Sequence, residues 1–141
     1  MALYDSSKTN KTGRQNRLYK DLDMDFVRNT VTNDVNTVDN VNAVKRSVKN
    51  LIQTNFYERP FQPELGCGIR ELLFEPYTPL TAVFLKRKIG EVIKNYEPRV
   101  RLEDIGLDDD PDRNRLKVDL YFYVVGVSEP VTVSTFLQRL R

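Results

Sequence analysis

The run 116–124, LKVDLYFYV, places an apolar residue at every second position: Leu116, Val118, Leu120, Phe122 and Val124. Successive side chains of an extended backbone point to opposite faces, so five in-phase apolar residues define one buried face and one wet face. A helical period of 3.6 cannot bury such a set together. The pattern is that of a half-buried strand in an antiparallel sheet. The rest of the chain therefore has to supply a second layer that covers this face.

Two segments have the helical period such a layer needs. Val41, Val44, Val48, Leu51 and Ile52 recur at helical spacing with Lys45, Arg46 and Lys49 on the other side, which predicts an amphipathic helix over 41–54 capped by Asp39 or Asn40. A second begins at Thr78 as cap with Pro79 at the first helical position, and buries Leu85, Ile89, Val92, Ile93 and Tyr96. Its wet face is Lys86, Arg87, Glu91 and Lys94, and Pro98 stops it. Between the two, Ile69, Leu72 and Leu73 predict a short helix that ends before Pro76. Val100 and Leu102 open a strand before the central one, and Val131 and Val133 open one after it. DDDPDRN (108–114) and GVSEP (126–130) read as the connections. The even positions Leu18, Leu22, Met24 and Phe26 predict a further extended segment with one apolar face, and 29–40 a turn and a short irregular strand. The fold class is α+β: two main helices plus a short one packed on a small, mainly antiparallel sheet.

Residues 1–17 are polar and basic and read as a flexible arm, leaving 18–141 as a single α+β domain. With 40% hydrophobic residues, seven Phe and seven Tyr, the chain has enough apolar surface for a core. No stretch approaches the roughly 20 apolar residues that span a bilayer, and the first residues lack the apolar stretch of a signal peptide. The single cysteine, Cys67, cannot form an internal disulfide, which fits folding in a reducing compartment such as the cytoplasm. Charge is uneven: 1–20 holds five Lys/Arg against one Asp, while 103–112 holds six carboxylates. A net charge of +2 makes no case for specific nucleic-acid binding.

The densest cluster of functional side chains is ERPFQPELGCGIRELLFEP, 58–76. Its glutamates, Glu58, Glu64, Glu71 and Glu75, raise the possibility of a two-carboxylate glycoside hydrolase, whose acid and base stand about 5–9.5 Å apart. The chain has no Trp to stack on a sugar, and no His, so Ser-His-Asp and Cys-His catalysis and imidazole ligands for zinc are excluded. GCGIRE lacks both the Gly-Lys-Ser/Thr of a phosphate loop and the third glycine of a dinucleotide turn. Cys67 has no histidine base to activate it. A rigid connector accounts for the residues better: Pro60 and Pro63 flank Phe61 and stiffen the approach, Gly66 and Gly68 permit unusual angles or close approach, Arg70 lies in the short helix, and Glu75–Pro76 ends it. A second cluster, NYEPRV (95–100), is a helix-to-strand corner, where Glu97 and Arg99 flank Pro98 and point the same way on an extended backbone.

In order and spacing, NAVKRSVKNLIQTNFYERPFQPELGCGIRELLFEP (42–76), NYEPRV (95–100) and PVTVSTFLQRLR (130–141) resemble the small baseplate wedge proteins of contractile-tailed bacteriophages. This is the sheath-initiator family, which also has members in type VI secretion baseplates and some labelled lysozyme-like. The resemblance covers about 18–141, and Cys67 departs from it where relatives commonly carry a small polar residue such as Ser. It implies a structural, non-enzymatic part of the virion tail baseplate, assembled in the host cytoplasm, without cofactor, metal or membrane. The implied partners are the baseplate wedge core proteins and the tail sheath protein, with the tail tube or neighbouring wedges as further contacts. Glu97, Pro98 and Arg99 would dock on the wedge core. Val131, Thr132, Val133, Ser134, Thr135 and Phe136 would exchange strands with the first sheath ring and so start the sheath, with the segment around 22–26 as a second strand candidate. A type VI baseplate subunit, or a peptidoglycan glycoside hydrolase using Glu64 or Glu71, are the alternatives.

Overall fold

The computed structural model describes residues 18–138, so the expected arm, 1–17, lies outside the described residues. The elements run β1 (Lys20–Leu22), β2 (Thr37–Asp39), α1 (Asn40–Gln53), α2 (Ile69–Leu72), α3 (Pro79–Tyr96), β3 (Val100–Asp110), β4 (Arg115–Val124) and β5 (Pro130–Gln138). The last three form an antiparallel meander in the order β3–β4–β5, and β1 pairs with β2 as a separate antiparallel ribbon. The α+β class read from the sequence is the one observed.

The alternating run is the central strand, β4, and all five of its in-phase apolar residues are buried. β5 repeats the phase: Val131, Val133, Thr135 and Leu137 are buried, opposite Phe122, Leu120, Val118 and Leu116. The covering layer is α1, through Val44, Val48, Leu51 and Ile52, and α3, through Leu85, Ile89, Val92 and Ile93. Each such side chain contributes roughly 1.5–3 kcal/mol when fully buried. The opposite face of the sheet carries Lys117, Asp119 and Tyr121 and stays open.

Start signals were legible at α3, where Thr78 Oγ1 accepts from the Thr81 amide at 3.2 Å with Pro79 at the first position. At α1 the outcome differs. Asp39 makes no side-chain capping bond, and Asn40, with φ +54°, accepts through Oδ1 from the Leu18 amide at 2.9 Å. Asparagine tolerates that left-handed backbone better than most residues, and here it pins the chain entering β1 instead of capping the helix.

Two expectations change. Asp108 to Asp110 belong to β3 and not to the connection, which is reduced to 111–114. β3 is an edge strand, so Asp108 stays exposed while the backbone pairs with β4, and charge on an edge discourages further pairing. The apolar face expected over 18–26 does not form. Only Lys20–Leu22 is strand, Phe26 has φ +51°, and Leu22, Met24 and Phe26 are 63%, 57% and 66% exposed. A two-stranded ribbon has no second layer to pack against at these positions. Asp23 turns inward instead, held by Arg46.

Candidate functional site

Pro98 ends α3, and the Val100 amide bonds back to the Glu97 carbonyl at 3.1 Å, making the corner from which β3 starts. Across that corner Arg99 grips Glu97 with both prongs, Nε to Oε1 at 2.6 Å and Nη2 to Oε2 at 2.9 Å. Glu97 is 3% exposed and also accepts a hydrogen bond from Ser47 of α1. Arg99 continues to Asp21 of β1, 3.2 Å to each carboxylate oxygen, and its guanidinium lies 5.5 Å from the Tyr19 ring centroid. The network thus ties β1, α1 and the α3–β3 corner together.

Burial pushes the Glu97 carboxyl up, but hydrogen bonds from Arg99 and Ser47 and the charge of Arg99 outweigh it and hold the group below its ordinary value. The bond to Glu97, aided by Asp21 and opposed by partial burial, raises Arg99. Pro98 is exposed and Arg99 half-buried, whereas Glu97 is covered. The spacing argument found the pair, although a turn and not the extended backbone it assumed brings the two together; it had no means of finding Asp21, 78 residues from Arg99, or Ser47, 50 residues from Glu97. Beside the network lies a groove of about 530 Å³ between β1, α1 and the connector, lined in part by Asp21, Arg46, Ser47, Arg59 and Tyr96.

The connector places Pro60, Phe61 and Pro63 at an exposed tip, closed by the Tyr57 amide on the Pro63 carbonyl at 2.9 Å. The chain then dives inward. A Cβ at Gly66 would stand 2.5 Å from the Asn55 carbonyl carbon, and one at Gly68, which has φ +54°, 2.4 Å from the Phe56 ring. Both glycine functions read from the sequence, close approach and a left-handed angle, occur here. Cys67 between them is fully buried, and burial pushes its thiol up to about 12. The Pro76 carbonyl accepts from Thr81 Oγ1 at 3.2 Å, locking the exit after exposed Glu75 onto α3.

The four glutamates are exposed and do not line a common cleft. Glu58 accepts from the Asn55 amide and side chain at 2.9 Å each, which, with Arg70 3.7 Å away, lowers its carboxyl. A catalytic acid needs the opposite shift. Among the described residues no cluster of acidic and cysteine side chains is arranged to hold a metal, and no helix is long and apolar enough to cross a membrane.

β5 is the second edge of the meander. Thr132, Ser134 and Phe136 are exposed on its open face, while Val131, Val133 and Thr135 face the helices. All six predicted exchange residues therefore lie on one strand whose outer side has no strand partner among the described residues.

The described residues thus form an α+β domain with a proline-set ionic corner and an open sheet edge. Residues 38–127 match the family model described as baseplate wedge protein gp25. The chain is 34% identical over 110 residues to the baseplate wedge protein gp25 of Enterobacteria phage T4, covering 78% of this chain and 83% of that protein. The chain belongs to the gp25 baseplate wedge protein family. Its fold is shared with a component of the anti-feeding prophage baseplate (TM-score 0.68, 23% identity, 79% of this chain and 89% of that one). It is also shared with a Geobacter sulfurreducens protein described as a tail lysozyme (TM-score 0.65, 20% identity, 70% and 89%).

Proposed function

We propose that this chain is a non-enzymatic structural component of a contractile-tail baseplate wedge, assembled in the host cytoplasm and carried in the virion, that docks on the wedge core and starts the tail sheath by strand exchange at β5. The observation that carries this reading is the second edge of the meander. Over Pro130–Gln138 alternate backbone groups point away from β4, and the strand is regular, with buried and exposed residues in strict alternation. Soluble proteins ordinarily blunt such an edge with charge, proline or a bulge. β3, the other edge, has both carboxylates and a bulge between Leu102 and Asp104, whereas β5 has neither a charged residue from 131 to 138 nor a register shift. An added strand gains main-chain hydrogen bonds there and register from alternate side chains.

Docking on the wedge core is assigned to the corner. Pro98 and the free side of Arg99 make the contact, and Glu97 is a positioning residue that holds the guanidinium in place beforehand, which lowers the ordering cost of association.

A proline placed in turn at each of positions 132 to 136 tests the strand reading. Where the lost N–H faced β4 the sheet should unfold; where it faced outward the chain should keep a cooperative melt. The folded variants should support baseplates that do not grow sheaths. Normal sheathed tails from those folded variants would show that β5 is not the exchange strand.

A further inference from the structure

Two grooves are lined by β5 together with α1, and neither has a β4 residue in its lining. Their chemistry differs. One, of about 490 Å³, is formed by Thr132 and Val133 with Lys45 and Lys49 of α1. The other, of about 410 Å³, lies beside Leu137 and has a floor of Ile52, Ile69 and Leu73. Arg70 stands at the rim of the second and is turned towards Glu58, 3.7 Å away.

The helix explains the order. Lys45, Lys49 and Gln53 follow at four-residue intervals, so they form one stripe along α1. Gln53 Nε2 donates to Thr135 Oγ1 at 3.1 Å, which fixes that stripe alongside β5. Neither lysine has an ion pair among the described residues, and the carboxylate of Asp23, which also lines the first groove, is taken by Arg46. A strand added beside β5 would lay every second side chain over this stripe. Near Val133 it would meet two uncompensated cations, and near Leu137 an apolar floor.

From this juxtaposition we infer that the strand accepted at β5 is bipolar, with acidic side chains on its helix-facing side opposite Val133 and an apolar side chain on that side opposite Leu137. This rests on the strand-exchange reading and names the chemistry of its partner. Main-chain hydrogen bonds alone do not distinguish registers that differ by two residues. The two grooves do: a slipped or reversed strand would bring a carboxylate over Ile52 and Leu73, where the rim cation, Arg70, already faces Glu58, and an apolar group over the lysines. They would therefore set both direction and register of the incoming strand.

The experiment uses assembled baseplate–sheath particles and a water-soluble carbodiimide, which joins an amine to a carboxylate only in contact. Peptide mapping should find Lys45 or Lys49 joined to an Asp or Glu in an extended segment of another chain. Links to a helical segment, or lysines that stay as open to amine labelling as in the isolated chain, would overturn the inference. In parallel, Lys45→Glu with Lys49→Glu should leave the melting of the chain unchanged but lower the yield of sheathed tails about tenfold or more, since like charges now face each other. Undiminished yield from that double variant, alongside proline variants of β5 that block the sheath, would remove the bipolar strand while leaving strand exchange intact.

Discussion

Arg99 reaches back across Pro98 and takes both carboxylate oxygens of Glu97, at 2.6 and 2.9 Å. The turn over 97–100, closed by the Val100 amide on the Glu97 carbonyl, brings the two side chains to the same side, and the proline fixes one torsion between them. Because Glu97 is buried, its charge has to be satisfied internally whatever the protein binds. A buried carboxylate that grips a half-exposed arginine fixes the guanidinium in place, and Asp21 is its second carboxylate partner. On the proposed docking, Glu97 serves stability alone, whereas Arg99 serves both stability and the contact made beside Pro98.

Glu97→Ala removes one partner of a buried pair, and should destabilise the chain by about 3 kcal/mol, the lower end for such a change because Arg99 keeps Asp21. Arg99→Ala leaves Glu97 buried with Ser47 and the main-chain amide of residue 99 but no charged partner, and should also destabilise, so it does not isolate docking. Arg99→Lys is the sharper variant: it keeps the charge but loses the two-pronged geometry. It should fold, melt slightly lower, and join wedges poorly in sedimentation of assembly intermediates. Normal wedge incorporation by Arg99→Lys would mean that the fork serves the fold alone.

The same pair sets a pH dependence. Glu97 titrates lower in the folded chain than its ordinary value of 4.5, so between the two values the unfolded chain binds more protons. Its contribution is complete above about pH 4.5, and is lost as pH falls through the lower folded value. Chemical-denaturant midpoints of wild type and Glu97→Gln should therefore differ most near neutrality and converge on acidification. A gap that stays constant to the acid limit would show that this carboxylate is not held by its ionised form.

How much of this was legible depends on the range of the signal. The alternation of 116–124, the stripes of α1 and α3, and Thr78 with Pro79 are local patterns, and each yields its element directly. The Glu97–Arg99 spacing is local too. Its extension to Asp21 and Ser47 is not, because nothing in periodicity says which distant strand lies beside the corner. Leu22, Met24 and Phe26 mislead for a related reason: an even spacing describes a face only if another layer exists to cover it. The acidic run 108–110 was read as a loop because carboxylates are poor strand formers, a preference that weakens on an exposed edge. Lys45 and Lys49 belong to the wet helix face legible in the sequence, but only the fold places them, in line with Gln53, beside β5.

Cys67 should be chemically silent. It is fully buried between two glycines that permit close packing, and its thiol is pushed up to about 12. Since the thiolate is the reactive form, iodoacetamide at pH 8 should label the native chain only through unfolding. Labelling rates should then rise as stability falls across the variants above. Rapid labelling of the native chain would indicate an opening of the connector that leaves the core folded.

The two glycines of the connector offer a separation by the kind of neighbour each meets. At Gly68 an added Cβ would clash with the Phe56 ring and the residue would keep φ +54°. The ring can rotate, displacing the Lys88 ammonium that stands 5.4 Å from its centroid, but the left-handed angle remains and costs about 1–2 kcal/mol for a residue with a side chain. At Gly66 the added Cβ would meet main chain: the Asn55 carbonyl carbon at 2.5 Å, its oxygen at 2.7 Å and the Phe56 nitrogen at 2.8 Å. Main chain cannot swing away, and the Cys67 amide is bonded to the Thr54 carbonyl at 2.9 Å, so the whole approach of the connector to the end of α1 has to widen. Gly66→Ala should therefore destabilise by about 3 kcal/mol or more, exceeding Gly68→Ala, as overpacking against a rigid neighbour does. Phe56→Ala combined with Gly68→Ala should recover part of the loss, whereas no side-chain removal at 55 or 56 should rescue Gly66→Ala. Equal costs at both glycines, or rescue of Gly66→Ala by Phe56→Ala, would show that the connector is held by side-chain packing and not by backbone contact.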